Sequence, residues 1–124
     1  RARLYDPLTK RPIRANLGEY LISGVRYVFP AVAGKEAAGI PTAHSAPPLS
    51  KMIVSGQDDT YIWPFRGGKT KGLAIEPLYP SVPGACAKDE ELHSLFALVD
   101  ALRVGRAREV DLAKRFIKEK LGIV

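Results

Sequence analysis

The amino-acid sequence predicts an α+β fold, with three main helices, a short β-hairpin and long proline-rich loops, in one domain over residues 1–124. Three observations lead there. Apolar residues recur at helical spacing in three separate stretches. An aromatic and β-branched run flanks a Gly-Gly pair, as in a hairpin. The 10 prolines and 11 glycines put a large share of the chain into turns and irregular loops. A chain of 124 residues, 46% of them hydrophobic, is long enough to bury a modest core without staples.

The first helix is expected over residues 15–29, where Leu17, Leu21, Val25 and Val28 form one stripe. Asn16 is placed to cap it, Glu19 to complement the dipole of its first turn, and Pro30 to stop it. Gly18 and Gly24 weaken that helix, and Val25-Arg26-Tyr27-Val28-Phe29 also reads as a strand. Residues 31–58 show no period of 2 or 3.6 and read as irregular. The hairpin is expected over residues 60–78, turning at Gly67-Gly68, with its prolines restricting it to short pairings. A proline-rich connection over residues 79–88 leads to a helical pair over residues 89–121. Asp89 caps its first member, Leu92, Leu95, Phe96, Val99 and Leu102 line the buried face, and Gly105 ends it. The second member buries Val110, Ala113, Phe116, Ile117 and Leu121, and ends at Gly122.

Composition narrows the function classes. One cysteine, Cys86, excludes an internal disulfide and a multi-cysteine zinc site, and fits a reducing cytoplasm. No stretch approaches the roughly 20 apolar residues of a membrane span. The chain starts at Arg1 with no apolar run in its first fourteen residues, so no signal peptide is read and upstream sequence is expected. The net charge of +6 is unevenly spread. Residues 1–30 carry six cations against Asp6 and Glu19, whereas residues 89–124 carry seven of each sign. The positive field therefore belongs to the basic leading segment, residues 1–14, with Arg1, Arg3, Lys10, Arg11 and Arg14 as candidate nucleic-acid contacts.

Several constellations resemble known chemistry and fall short of it. Gly67-Gly68-Lys69-Thr70 matches the end of a phosphate-binding loop, but the glycine that pattern needs five residues earlier is Trp63. Cys86 has no local signature of a nucleophile, and His44 and His93 have no partner at metal-ligand spacing. No catalytic residue, cofactor or metal site is assigned. The last two helices have the length of a helix-turn-helix, yet Glu109, Asp111 and Glu119 interleave with the cations of the second, as on a solvated face. The hairpin tip carries Arg66, Lys69 and Lys71, which could touch phosphate in the manner of a wing. His44, Pro47, Pro48 and Trp63 are candidate partner or ligand contacts, with His44 as a loop-fixing hydrogen bonder.

Five blocks carry a family resemblance: residues 17–31, 39–49, 63–64, 76–86 and 91–109, including Gly-Ile-Pro-Thr-Ala-His-Ser-Ala-Pro-Pro-Leu at 39–49. The chain resembles the C-terminal region of small bacterial MarR-like, or winged helix-turn-helix, transcriptional regulators. The resemblance spans nearly the whole chain and implies a winged helix upstream of Arg1. It implies a non-enzymatic regulatory or dimerisation domain of a DNA-binding protein, which meets DNA through the full-length protein. It supplies no catalytic residue. The alternative is a protein-interaction module, such as an antitoxin-like partner of a toxin or enzyme encoded nearby; a ligand-binding domain around His44 ranks third.

Overall fold

A computed structural model describes residues 5–6, 11–12, 14–52 and 60–122, with side chains from residue 19 onward. The coarse class is α+β. Two two-residue strands, β1 (Tyr5–Asp6) and β2 (Arg11–Pro12), pair antiparallel ahead of helix α1 (Arg14–Ser23). The single helix expected over residues 15–29 is two: α1 ends at Ser23, and α2 (Val25–Val28) follows Gly24. Gly24 sits at φ −124° and ψ −31°, off the helical path, and its amide donates back to the carbonyl of Tyr20 at 2.7 Å. That break redirects the stripe. Val25 is buried while Val28 is exposed, and Asn16 lies inside α1 instead of capping it. Pro30 follows the helical region as expected.

The region expected to be irregular, 31–58, contains strand β3 (Glu36–Pro41), a 3-10 turn (Ala43–Ser45) and the short helix α3 (Leu49–Met52). Residues 53–59 lie outside the described residues. Ala and Gly dominate β3, and neither favours a strand, so its conformation comes from its partners and not from propensity.

Those partners are β4 (Tyr61–Pro64) and β5 (Thr70–Ala74), and they overturn the hairpin. β4 runs antiparallel to the C-terminal half of β3, pairing Gly39 with Pro64 and Pro41 with Ile62. β5 runs antiparallel to the N-terminal half, pairing Glu36 with Leu73 and Gly39 with Thr70. β4 and β5 then meet in parallel, Tyr61 beside Leu73 and Ile62 beside Ala74, which closes the three strands on themselves. The Gly-Gly segment does not close a two-residue turn. It crosses over β3 at Gly39, which pairs with both neighbours.

Glycine makes this crossing possible. A Cβ on Gly39 would overlap the carbonyl of Trp63, and one on Gly68 would overlap the backbone of Gly39 itself. Gly67 has a different reason: its φ is +86°, in a turn closed by the Gly68 amide on the Phe65 carbonyl at 2.9 Å, with open space around it.

The connection over residues 79–88 holds a further helix, α4 (Val82–Ala87), with Pro83 in its first turn, where a missing amide costs nothing. The helical pair is present as α5 (Glu90–Val104) and α6 (Ala107–Leu121). Asp89 caps α5 by accepting from the Leu92 amide at 3.1 Å, and Glu90 and Glu91 occupy its first turn. Gly122, at φ 68°, ends α6 in the left-handed conformation. The buried face of α6 is as expected, centred on Ala113 and Ile117. α5 differs. Leu92, Leu95 and Phe96 are only half-buried, and every residue from Ala97 to Arg103 is buried. α5 is therefore the central strut, packed by α2, α4, α6 and the 3-10 turn, and its second half is its most buried part. Its core partners include Val25, Ala43, Leu49 and Ile117, while Trp63, Val82 and Cys86 form a second cluster.

These two glycines separate crowding from backbone strain. Gly39→Ala should destabilise the chain by about 3 kcal/mol, because the clash is with backbone that cannot yield. Gly67→Ala, which meets no atom, should cost only the left-handed penalty of about 1–2 kcal/mol. Urea unfolding of both variants at constant m-value checks the order.

Candidate functional site

The densest polar arrangement is built around Asp100, on the buried half of α5 and 1% exposed. Its Oδ2 accepts the Thr42 hydroxyl at 2.7 Å and the Trp63 indole Nε1–H at 2.6 Å. Its Oδ1 accepts Arg103 Nη1 at 2.8 Å, one helical turn away. Arg103 is itself buried, so it does more than complement the dipole at the end of α5. Its Nε donates to the Phe29 carbonyl at 2.8 Å and its Nη1 to the Glu76 carbonyl at 3.1 Å. One ion pair thus ties α5 to the residue after β3, to β4, to the end of α2 and to the segment after β5.

Burial pushes the Asp100 carboxyl above its ordinary value, opposed in turn by the Thr42 hydrogen bond, by the charge and hydrogen bond of Arg103, and by the Trp63 hydrogen bond. The carboxylate has no lone pair turned toward an open cleft by this geometry. Every named donor is a fixed part of the fold, as a structural anchor requires.

The histidines complete the same region. His93, half-buried on α5, lies with Nε2 at 2.7 Å from the Pro41 carbonyl. A carbonyl only accepts, so Nε2 carries the proton. Its ring leans on Trp63, centroids 5.5 Å apart at 44°. His44 is buried in the 3-10 turn and meets Tyr61 edge-on at 4.9 Å. Next to it Ala43 is held at φ 55°, a left-handed conformation that costs a non-glycine residue about 1 kcal/mol or more. Tyr61 is tied to the same turn, its amide donating to Ser45 Oγ at 2.9 Å. The segment 42–46 is thus a packed loop.

The expected partner contacts divide accordingly. Trp63 is 0% exposed and belongs to the core, where its polar edge is satisfied by Asp100. His44 is also inside. Pro47 is exposed and Pro48 half-buried. Pro47 borders a polar groove of about 430 Å³ with Lys51, Glu90, Glu91, His93 and Ser94. Among the nucleic-acid candidates, Arg66, Lys69 and Lys71 are exposed, the first two on the connector between β4 and β5 and Lys71 in β5. Arg11 lies in β2 and Arg14 opens α1, while Arg1, Arg3 and Lys10 lie outside the described residues.

A second surface feature is apolar. A groove of about 610 Å³ runs between the approach to β3 and the segment after β5, lined by Val32, Pro64, Ile75, Pro77, Leu78 and Pro83 among others. Val32 at its edge is 85% exposed, and Tyr79, between the lining residues Leu78 and Pro80, is 63% exposed. Cys86 is buried nearby in the second cluster, and burial, with the charges of Asp100 and Asp89, pushes its thiol up to about 11.

Asp100 escaped the sequence reading. The available signal was an acid inside the apolar run Leu98-Val99-Asp100-Ala101-Leu102 with Arg103 three residues on. An unpaired carboxylate there would be prohibitive, so the pattern marks a buried ion pair. Thr42 and Trp63 carry no comparable signal.

Fold and site together define a small α+β domain: a closed three-stranded sheet clamped to a central helix by a buried ion pair. Comparison with protein-family models, curated proteins and solved structures gives no match. Among the described residues, no His/Cys/Asp/Glu group could hold a metal ion, and no helix is long and apolar enough to cross a membrane.

Asp100→Asn should cost about 3–5 kcal/mol, because Arg103 is left buried with no counter-charge. The double variant with Arg103→Met should recover part of that loss, a coupling measured by urea unfolding. Cys86, with its thiol held near 11, should react with a thiol reagent at pH 8 only in step with unfolding. Labelling followed by mass spectrometry, with and without denaturant, reads the difference.

Proposed function

We propose that this chain is a non-enzymatic regulatory domain of a bacterial DNA-binding transcriptional regulator, working in the cytoplasm through binding surfaces. The observation that carries the reading is how the buried polar groups are used. Asp100, Arg103, Thr42 and Trp63 spend their hydrogen bonds on each other and on backbone carbonyls. A general acid or base must instead face the reacting group within hydrogen-bond reach. The Cys86 thiol, held protonated, is a poor nucleophile. What faces solvent is suited to contact: an apolar groove, exposed aromatic side chains and an excess of positive charge. The resemblance to the C-terminal region of winged helix-turn-helix regulators supports the same reading.

A second reading, a protein-interaction module such as an antitoxin-like partner, is favoured specifically by the apolar groove and the exposed Val32 and Tyr79. The two differ in what the protein retains when isolated from its host. As a regulatory domain, the protein containing this chain should bind its own promoter DNA, with affinity falling steeply between about 50 and 200 mM salt. A mobility-shift titration checks this. Binding that is absent or indifferent to salt sinks the reading, and a stoichiometric protein partner without DNA selects the second.

A further inference from the structure

The connector between β4 and β5 carries Arg66 and Lys69, and Lys71 follows as the second residue of β5. Arg66, Lys69 and Lys71 are all exposed. Among the described residues no carboxylate comes within ion-pair distance of any of them, unlike Arg103 with Asp100 and Lys120 with Glu91. This contrasts with α6, whose cations are interleaved with Glu109, Asp111 and Glu119. The sheet adds Lys35, whose carbonyl accepts the Ala74 amide at 2.9 Å, against the acidic Glu36.

The loop is also held in place. Gly68 packs so closely on the Gly39 backbone that it could not carry a Cβ, and the Phe65 amide donates to the Ala38 carbonyl at 3.3 Å. The backbone bearing the three cations is therefore set by the closed sheet before any ligand arrives, which reduces the ordering cost of binding. Between Arg66 and Lys69 lie only Gly67 and Gly68. Glycine lets a phosphate approach the main chain closely.

We propose that this connector is a phosphate-contacting surface for double-stranded DNA, positioning the duplex without reading its bases. The inference rests on the regulatory reading above and assigns residues of this domain to the DNA backbone in addition to any upstream reader. Contacts of this kind set register and affinity and carry no sequence information.

The test is fluorescence anisotropy of the full 124-residue chain on a labelled duplex of arbitrary sequence, titrated across KCl concentrations. Wild type is compared with a triple variant, Arg66→Gln, Lys69→Gln and Lys71→Gln. Each phosphate contact contributes roughly 0.9 to the slope of log K against log salt. The triple variant should therefore be shallower by roughly 2–3, with an unchanged melting temperature because all three side chains are exposed. Arg115→Gln with Lys118→Gln on α6 serves as the charge control and should keep the wild-type slope to within about 1. A triple variant with the wild-type slope, beside a wild type that binds DNA, overturns this inference and leaves the regulatory reading standing. Equal loss of slope in the α6 control overturns it as well, by reducing the effect to net charge. A mobility shift of the promoter that is itself absent removes the regulatory reading, and this inference falls with it. Polyglutamate competing as well as duplex at equal charge assigns the loop to an acidic protein instead.

Discussion

The Asp100–Arg103 pair is the interaction on which the rest of the structure depends. Burying two opposite charges costs several kcal/mol in lost hydration, and their mutual attraction alone does not reliably return it. What makes the pair tolerable is the number of further donors and acceptors around it. Thr42 and Trp63 fill the second carboxylate oxygen, and the carbonyls of Phe29 and Glu76 take two further guanidinium protons. The closed sheet already brings the end of β3, β4 and the segment after β5 together. The ion pair joins that group to α5 and to the end of α2, with Asp100 taking Thr42 and Trp63 and Arg103 taking Phe29 and Glu76. Every member must be in place at once, so the network selects one arrangement of the chain over looser apolar packings.

The closed sheet is the other half of that arrangement. Three strands of four to six residues have too little ladder to be stable alone. Closing them on each other shortens the exposed edges, and Trp63, 0% exposed, links the sheet to the helical layer through its indole proton and through His93. Gly39 and Gly68 belong to the same economy of space, because the crossing of the connector over β3 leaves no volume for side chains. The two proposed contact surfaces, an apolar groove on one part and a cationic connector on another, are both borders of this sheet. They are presented on a backbone that the buried network holds in place.

How much was legible in the sequence differs by element, for local reasons. The helical pair was readable because its signals are short-range: Asp89 before α5, acids in the first turn, an apolar stripe in α6 and Gly122 after it. The break at Gly24 was visible as a weak helix position, but not as a change of direction. β3 was hidden because Glu36-Ala-Ala-Gly-Ile-Pro has no alternation and no β-branched run. The hairpin was misread because a Gly-Gly pair between two strand-like runs fits an antiparallel turn equally well as a crossover. Nothing local reports that a third strand lies between the two along most of their length. Asp100 left a trace, an acid in an apolar helix, whereas its partners Thr42 and Trp63 are 58 and 37 residues distant.

The sequence by itself determined the α+β class, the boundaries of α5 and α6, the stop at Pro30, the single thiol and the uneven distribution of charge. All of these follow from composition or from interactions within a turn or two of the chain. The tertiary structure decided the parallel meeting of β4 and β5, the burial of Trp63 and His44, and the pairing of Asp100 with Arg103 inside the core. It also decided that Arg66 and Lys69 on the connector and Lys71 in β5 are all exposed. Those outcomes depend on contacts between residues far apart in the chain, whose geometry exists only after the whole core has closed.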